Sequence, residues 1–243
     1  MKFKISQSAI KDFYKEDFCK IKWEHIYVKG YRSRPTEAML NGLVFEELVI
    51  GSSRDGEVHL LPRLKNGGVS KREADLIRLS EFAKNTMKDL EIKLLEVQPK
   101  WETDTLIGHP DALITYKGEL AIMDLKYTAV REDESCKWNP YAWSDLEYKD
   151  FRQALHYVEM YYQNHGQYLP FFYLVFGKSG WVKFISIDIT KSSIEDYNML
   201  LKTFVKDLEQ FEAKPIKNYS ICRKCTIECD KRTEKPNIIN IEI

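Results

Sequence analysis

The chain has 243 residues, 44% of them hydrophobic and 30% charged, with 37 basic side chains balancing 37 acidic ones. This composition is that of a soluble globular protein with room for one well-filled core, and no run of about eighteen apolar residues is present to span a membrane. The neutral balance does not advertise a nucleic-acid partner, although a local basic stripe is enough to bind one.

Met1 to Ser8 lack the apolar stretch of a signal peptide, so the cytoplasm is the expected location. Residues 6–19 read as a helix capped by Ser6 or Ser8, with Ile10, Phe13, Tyr14 and Phe18 on one side. Thr36 to Ile50 has apolar residues at helical spacing, Phe45, Leu48 and Val49 among them, and Gly51 as a stop. Residues 52–69 are rich in turn formers, and 71–90 form a long amphipathic helix. The period then changes to that of strands at Lys93–Trp101, Thr105–Tyr116 and Glu119–Tyr127, the last two joined at Lys117-Gly118 like a hairpin. Residues 129–147 have no clear period. Tyr148–Asn164 returns to helix. Leu169–Phe176 and Trp181–Ile189 are strands separated by Gly177 to Gly180, and Ser192–Phe211 is a helix capped by Thr190 or Ser192. No internal repeat interrupts this order. It predicts one α/β domain over 1–243, a mixed sheet with helices packed around it.

The most informative residues are Gly108-His109-Pro110-Asp111 and Asp124-Leu125-Lys126. Asp124 ends an apolar run, Ala121-Ile122-Met123, where a carboxylate is costly unless it is paired or binds a metal. Asp124 and Lys126 share one face of a strand. Asp111, expected in mid-strand, comes beside them if the two strands pair. Two carboxylates and an ammonium at one spot suit phosphodiester hydrolysis: the carboxylates hold a hard cation, and the lysine orients or deprotonates its water. Gln153 and Tyr157 are four apart, on one face of a helix.

At these positions the sequence resembles the PD-(D/E)xK nucleases, more narrowly their RecB-type branch. Pro110-Asp111 and Asp124-x-Lys126 match the name motif, and Gln153-x-x-x-Tyr157 matches the helical motif after it. Gly42 to Glu46 resembles the first-helix motif. Many RecB-type members have a histidine ligand where Phe45 stands, which makes Glu46 the candidate third ligand here. The resemblance implies a restriction-endonuclease-like fold and a Mg²⁺- or Mn²⁺-dependent deoxyribonuclease, an exonuclease before an endonuclease. Glu46, Asp111, Asp124 and the Leu125 carbonyl would hold the metal, Lys126 would position the water, and Gln153 and Tyr157 would orient the lysine or the scissile strand. The expected partner is DNA, single-stranded or with ends, with a protein partner in a DNA-processing complex as a further expectation. A binding protein that has lost cutting, and a site-specific defence endonuclease, are the competing readings.

The chain has five cysteines, an odd number that argues against a disulfide framework. Cys222, Cys225 and Cys229 have the tight spacing of a metal knuckle. In several RecB-type families one N-terminal and three C-terminal cysteines hold a [4Fe–4S] cluster, and Cys19 with these three resembles that arrangement. It would join the N-terminal helix to the C-terminal segment, about residues 215–232. A four-cysteine zinc site fits the same ligands, and reduced thiols without metal are the plain reading. Cys136 has no sequence partner. His109 and His156 are read as structural. Trp138, Tyr141 and Trp143, within 137–148, either stack on unpaired bases or cover a sheet edge. Lys214, Lys217, Arg223, Lys224, Lys231 and Arg232 are either phosphate contacts or a solvated face. Residues 238–243 alternate like a strand.

Overall fold

The computed structural model describes residues 3–32, 35–52, 59, 61, 63–133, 150–214 and 222, 223, 225, 227 and 229. Cys136, the aromatic segment 137–148, Lys217, Lys224, Lys231, Arg232 and the expected closing strand 238–243 lie outside the described residues. The chain divides into two compact units, one of residues 1–34 with 198–243 and one of residues 35–197. No helix among the described residues is long and apolar enough to cross a membrane.

In the first unit, the helix expected over 6–19 is two pieces. Helix α1 (Gln7–Tyr14) is capped by Ser6, whose Oγ accepts from the Ala9 amide at 3.3 Å. It stops at Lys15, which is extended, and α2 (Lys20–Tyr27) begins after Cys19. The reason lies in the run Lys15-Glu16-Asp17: all three are exposed, leaving nothing apolar for another helical turn to bury, and Phe18 sits in the turn instead of on the helix. The core of this unit is aromatic. Trp23, fully buried, donates its Nε1–H to the Ala9 carbonyl at 2.8 Å and meets Phe13, Phe204 and Phe211 edge-on at ring separations of 5.2, 6.2 and 5.2 Å.

The second unit opens with α3 (Glu37–Ile50), capped by Thr36 and stopped by Gly51 at φ 75°, and α4 (Lys71–Asp89), capped by Ser70. Strands β1 (Ile92–Val97), β2 (Trp101–Glu102), β3 (Ile107–Gly108), β4 (Ala112–Tyr116) and β5 (Glu119–Thr128) follow. Next come α5 (Arg152–His165), β6 (Phe171–Gly177) and β7 (Val182–Ile187); α6 (Lys191–Glu209) begins in this unit and from residue 198 belongs to the first. The Thr190 Oγ1 accepts from the Ser193 amide at 3.1 Å, so Thr190 caps α6.

The main sheet has the order β1-β4-β5-β6-β7. It is mixed: β5 and β6 run parallel, and every other pair is antiparallel. The parallel pair needs a long crossover, which contains α5. Lys117 and Gly118, at φ 51° and 88°, close the β4–β5 hairpin with the two left-handed residues of a primed turn.

Two expected strands are divided. Lys93–Trp101 breaks at Gln98, which takes φ 47° ahead of Pro99, and Thr105–Tyr116 breaks at His109-Pro110. Proline has no N–H for a ladder, so both interruptions fall where the sequence puts one. The pieces beyond the breaks, β2 and β3, pair as a separate ribbon. Asp111 therefore stands just ahead of β4 rather than in mid-strand.

Alternation along the strands divides the work of the sheet. Ala112, Ile114, Met123, Leu125, Leu174 and Phe176 join one apolar core with Val44, Phe45 and Val49 of α3 and Leu76, Leu79 and Ala83 of α4. The alternate residues Asp124, Phe171 and Tyr173 meet Gln153, Tyr157 and Phe151 at α5 or its start.

Candidate active site

The β4–β5 ladder runs from Tyr116↔Glu119 to Ala112↔Met123. Just past its last rung, the Asp111 carboxylate takes over: Oδ2 accepts from the Leu125 amide at 2.7 Å. The Asp111 main-chain carbonyl accepts from the Gln98 amide at 2.8 Å. Asp111 is fully buried, and these bonds offset the cost of placing it there.

Asp124 lies on the next turn of this chemistry. It is also fully buried, and its two oxygens have different neighbours. Oδ1 accepts from Gln153 Nε2 at 2.8 Å, and Oδ2 is 2.5 Å from Lys126 Nζ. Burial draws the lysine pKa down, but Asp124 and then Asp111 outweigh it and hold Lys126 above its ordinary value. The side chain keeps 31% of its surface exposed.

Gln153 and Tyr157 do share one face of α5, and the structure brings them to the acids. The Tyr157 hydroxyl donates to the His109 carbonyl at 3.0 Å, fastening α5 to the break that carries Asp111. Close approach depends on Gly108: a Cβ there would lie 2.7 Å from Tyr157 Cε1 and 3.0 Å from Met160 Sδ. His156 is structural, as expected. It is fully buried, with Nε2 3.0 Å from the Ile107 carbonyl and Nδ1 2.5 Å from the Tyr197 hydroxyl. This fits a neutral ring that donates from Nε2 and accepts at Nδ1. Burial lowers its pKa to about 4. His109 contributes its main-chain carbonyl to the site.

The first-helix residues separate. Phe45 is fully buried in the apolar core, its ring 5.6 Å from those of Tyr127 and Phe176. Glu46 is nearly buried and accepts from Gln98 Nε2 at 2.5 Å. Gln98 is thus a site neighbour that sequence reasoning missed; its one signal was its place before Pro99. Tyr173 was missed too. It pairs in register with Asp124, is 2% exposed, and its ring centre lies 5.8 Å from Lys126 Nζ. Burial, then Asp124, Tyr157, Asp150 and Asp111, push its hydroxyl far above the usual tyrosine range, so it stays protonated. Its sequence context, a continuous apolar strand, gave no sign of this.

Among the described residues, no three His, Cys, Asp or Glu side chains are gathered closely enough to enclose a metal ion. The site offers two buried aspartates, with Glu46 turned to Gln98. That donor set fits Mg²⁺, a hard cation that keeps several waters and is commonly bound through one or two carboxylates plus a substrate phosphate. The Leu125 side chain lies in the core, leaving only its main chain at the site. In the first unit, Cys222 is buried, Cys19, Cys225 and Cys229 are half-buried, and none is in a disulfide. The Cys225 amide donates to the Cys222 carbonyl at 3.0 Å, so the knuckle turn is formed although no three thiols are drawn to coordinating distance.

A mixed five-stranded sheet between α3 and α4 on one face and α5 on the other, with paired acids where β4 and β5 part, defines the α/β restriction-endonuclease-like fold. No protein-family model matches the sequence, and no curated protein matches it. Among solved structures, the chain is similar to a crystal structure of a candidate exonuclease from Eubacterium rectale. The TM-score is 0.62 at 18% identity, over 94% of this chain and 90% of that one. At that identity the likeness is one of fold.

Proposed function

We propose that this protein is a Mg²⁺- or Mn²⁺-dependent deoxyribonuclease of the RecB-type branch of the PD-(D/E)xK superfamily, acting on DNA from its ends. One observation carries the reading: Asp124 divides its two oxygens between Gln153 and Lys126, while the Asp111 carboxylate is anchored to the amide of Leu125, the next residue of β5. The name of the Eubacterium rectale neighbour supports the exonuclease side of it. In this reading Asp111, Asp124 and the Leu125 carbonyl would hold the metal, with Glu46 completing the set. Bound there, the cation supplies a water of lowered pKa and offsets charge on the phosphate. Lys126, beside Asp124, would position the attacking water. Gln153 fixes the rotamer of Asp124, and Tyr157 holds the His109–Asp111 segment against α5. Phe45 is a core residue, which leaves Glu46 as the first-helix candidate ligand.

The test is cleavage of end-labelled single-stranded, double-stranded and circular DNA with Mg²⁺ or Mn²⁺, beside Lys126→Ala. Loss from labelled ends only, absent in the variant, is the expected result. Full activity in Lys126→Ala would sink the assignment, and discrete products from the circle would make it an endonuclease. We also propose Cys19, Cys222, Cys225 and Cys229 as ligands of a [4Fe–4S] cluster. Iron and sulfide in anaerobically purified protein, lost in Cys222→Ser, are expected; zinc in their place would give the four-cysteine zinc site.

A further inference from the structure

Lys126 has both an acid and an aromatic ring beside it on its own face of the sheet. Asp124 Oδ2 lies 2.5 Å from the ammonium, and the ring of Tyr173 lies 5.8 Å away, within the range of a cation–π contact. The parallel register sets this arrangement: Asp124 pairs with Tyr173 and Lys126 with Val175, so Tyr173 rises beside the acid on the same face. The ring has little freedom. It is 2% exposed and lies against Phe171 at 4.9 Å and Phe151 at 5.9 Å. If Asp124 binds metal, its oxygens are less available to the lysine, and the ammonium then needs a second resting place that keeps it at the site. The face of Tyr173 lies within its reach.

We propose that Tyr173 is a positioning residue for Lys126, its ring forming the fixed wall that keeps the ammonium beside Asp124. The inference rests on the nuclease reading for the role of Lys126, but the contact itself can be tested without metal or DNA. The informative pair is Tyr173→Phe, which keeps the ring, and Tyr173→Leu, which removes it. In metal-free protein, brief acetylation followed by peptide mass spectrometry reads how freely the Lys126 amine reacts. Modification of Lys126 is expected to rise several-fold in Tyr173→Leu and to stay at the wild-type level in Tyr173→Phe. In the loaded enzyme, Tyr173→Leu is expected to lose about tenfold in kcat with KM little changed, while Tyr173→Phe retains both. Should Tyr173→Leu not fold, Tyr173→Met fills the space without a ring. Unchanged Lys126 modification in a folded ring-less variant overturns the proposal, as does an equal loss in Tyr173→Phe, which would assign the effect to the hydroxyl. Lys126→Ala separates the two readings. If it cleaves like wild type, the nuclease assignment fails while the acetylation result still decides the contact.

Discussion

At single residues, the site uses small features with large leverage. Gly108 leaves the space that Tyr157 occupies, so Gly108→Ala must displace the ring. DNA cleavage by that variant should fall at least about tenfold, with a melting temperature lowered by several degrees. His156 makes a prediction about pH. Its folded pKa is about 4, below the ordinary 6.5, so the unfolded chain binds the extra proton between these values. Its contribution is complete above pH 6.5 and is lost as pH falls toward 4, roughly 3 kcal/mol in all. Urea unfolding at pH 7 and pH 4.5 should show that loss in wild type and a smaller one in His156→Gln. The candidate site residues were legible because an aspartate in an apolar strand is costly, and because the family resemblance singled out Gln153 and Tyr157. Gln98 and Tyr173 were not legible, because their roles come from a backbone break and from cross-strand register, neither of which leaves a local pattern.

Among elements, sequence pattern located the helices well where caps mark them. The helices expected over Thr36–Ile50 and 71–90 lie within a residue of α3 and α4, and Gly51 is the stop in both the sequence pattern and the structure. The strands were read too long, since apolar periodicity continues across Gln98-Pro99 and His109-Pro110 while the ladder cannot. Helix α3 illustrates how an element divides its duties: Phe45 faces the core and Glu46 faces Gln98. Phe45→Ala should cost about 3–5 kcal/mol in denaturant unfolding. Glu46→Gln, by contrast, should leave stability within about 1 kcal/mol and reduce cleavage. If Phe45→Ala instead spared stability and abolished cleavage, the division would be reversed.

For the whole molecule, addition of a chelator should abolish cleavage, and Mg²⁺ or Mn²⁺ should restore it, measured on the same end-labelled DNA. The chain path has a consequence for synthesis and folding. Residues 1–34 belong with 198–243, so the segment 35–197 is a long excursion between the two parts of one unit. During N-to-C-terminal synthesis Phe13 and Trp23 emerge first, yet Phe204 and Phe211, which pack on them, come last. The second unit, with all its strands and α3 to α5 already made, is free to fold while the aromatic side of α1 waits uncovered. Joining the two parts closes the excursion and costs loop entropy that the late contacts, those aromatic rings and the Tyr14–Asp207 hydrogen bond among them, repay. A nascent chain stopped before residue 198 should thus hold a formed sheet and an exposed, aggregation-prone N-terminal segment.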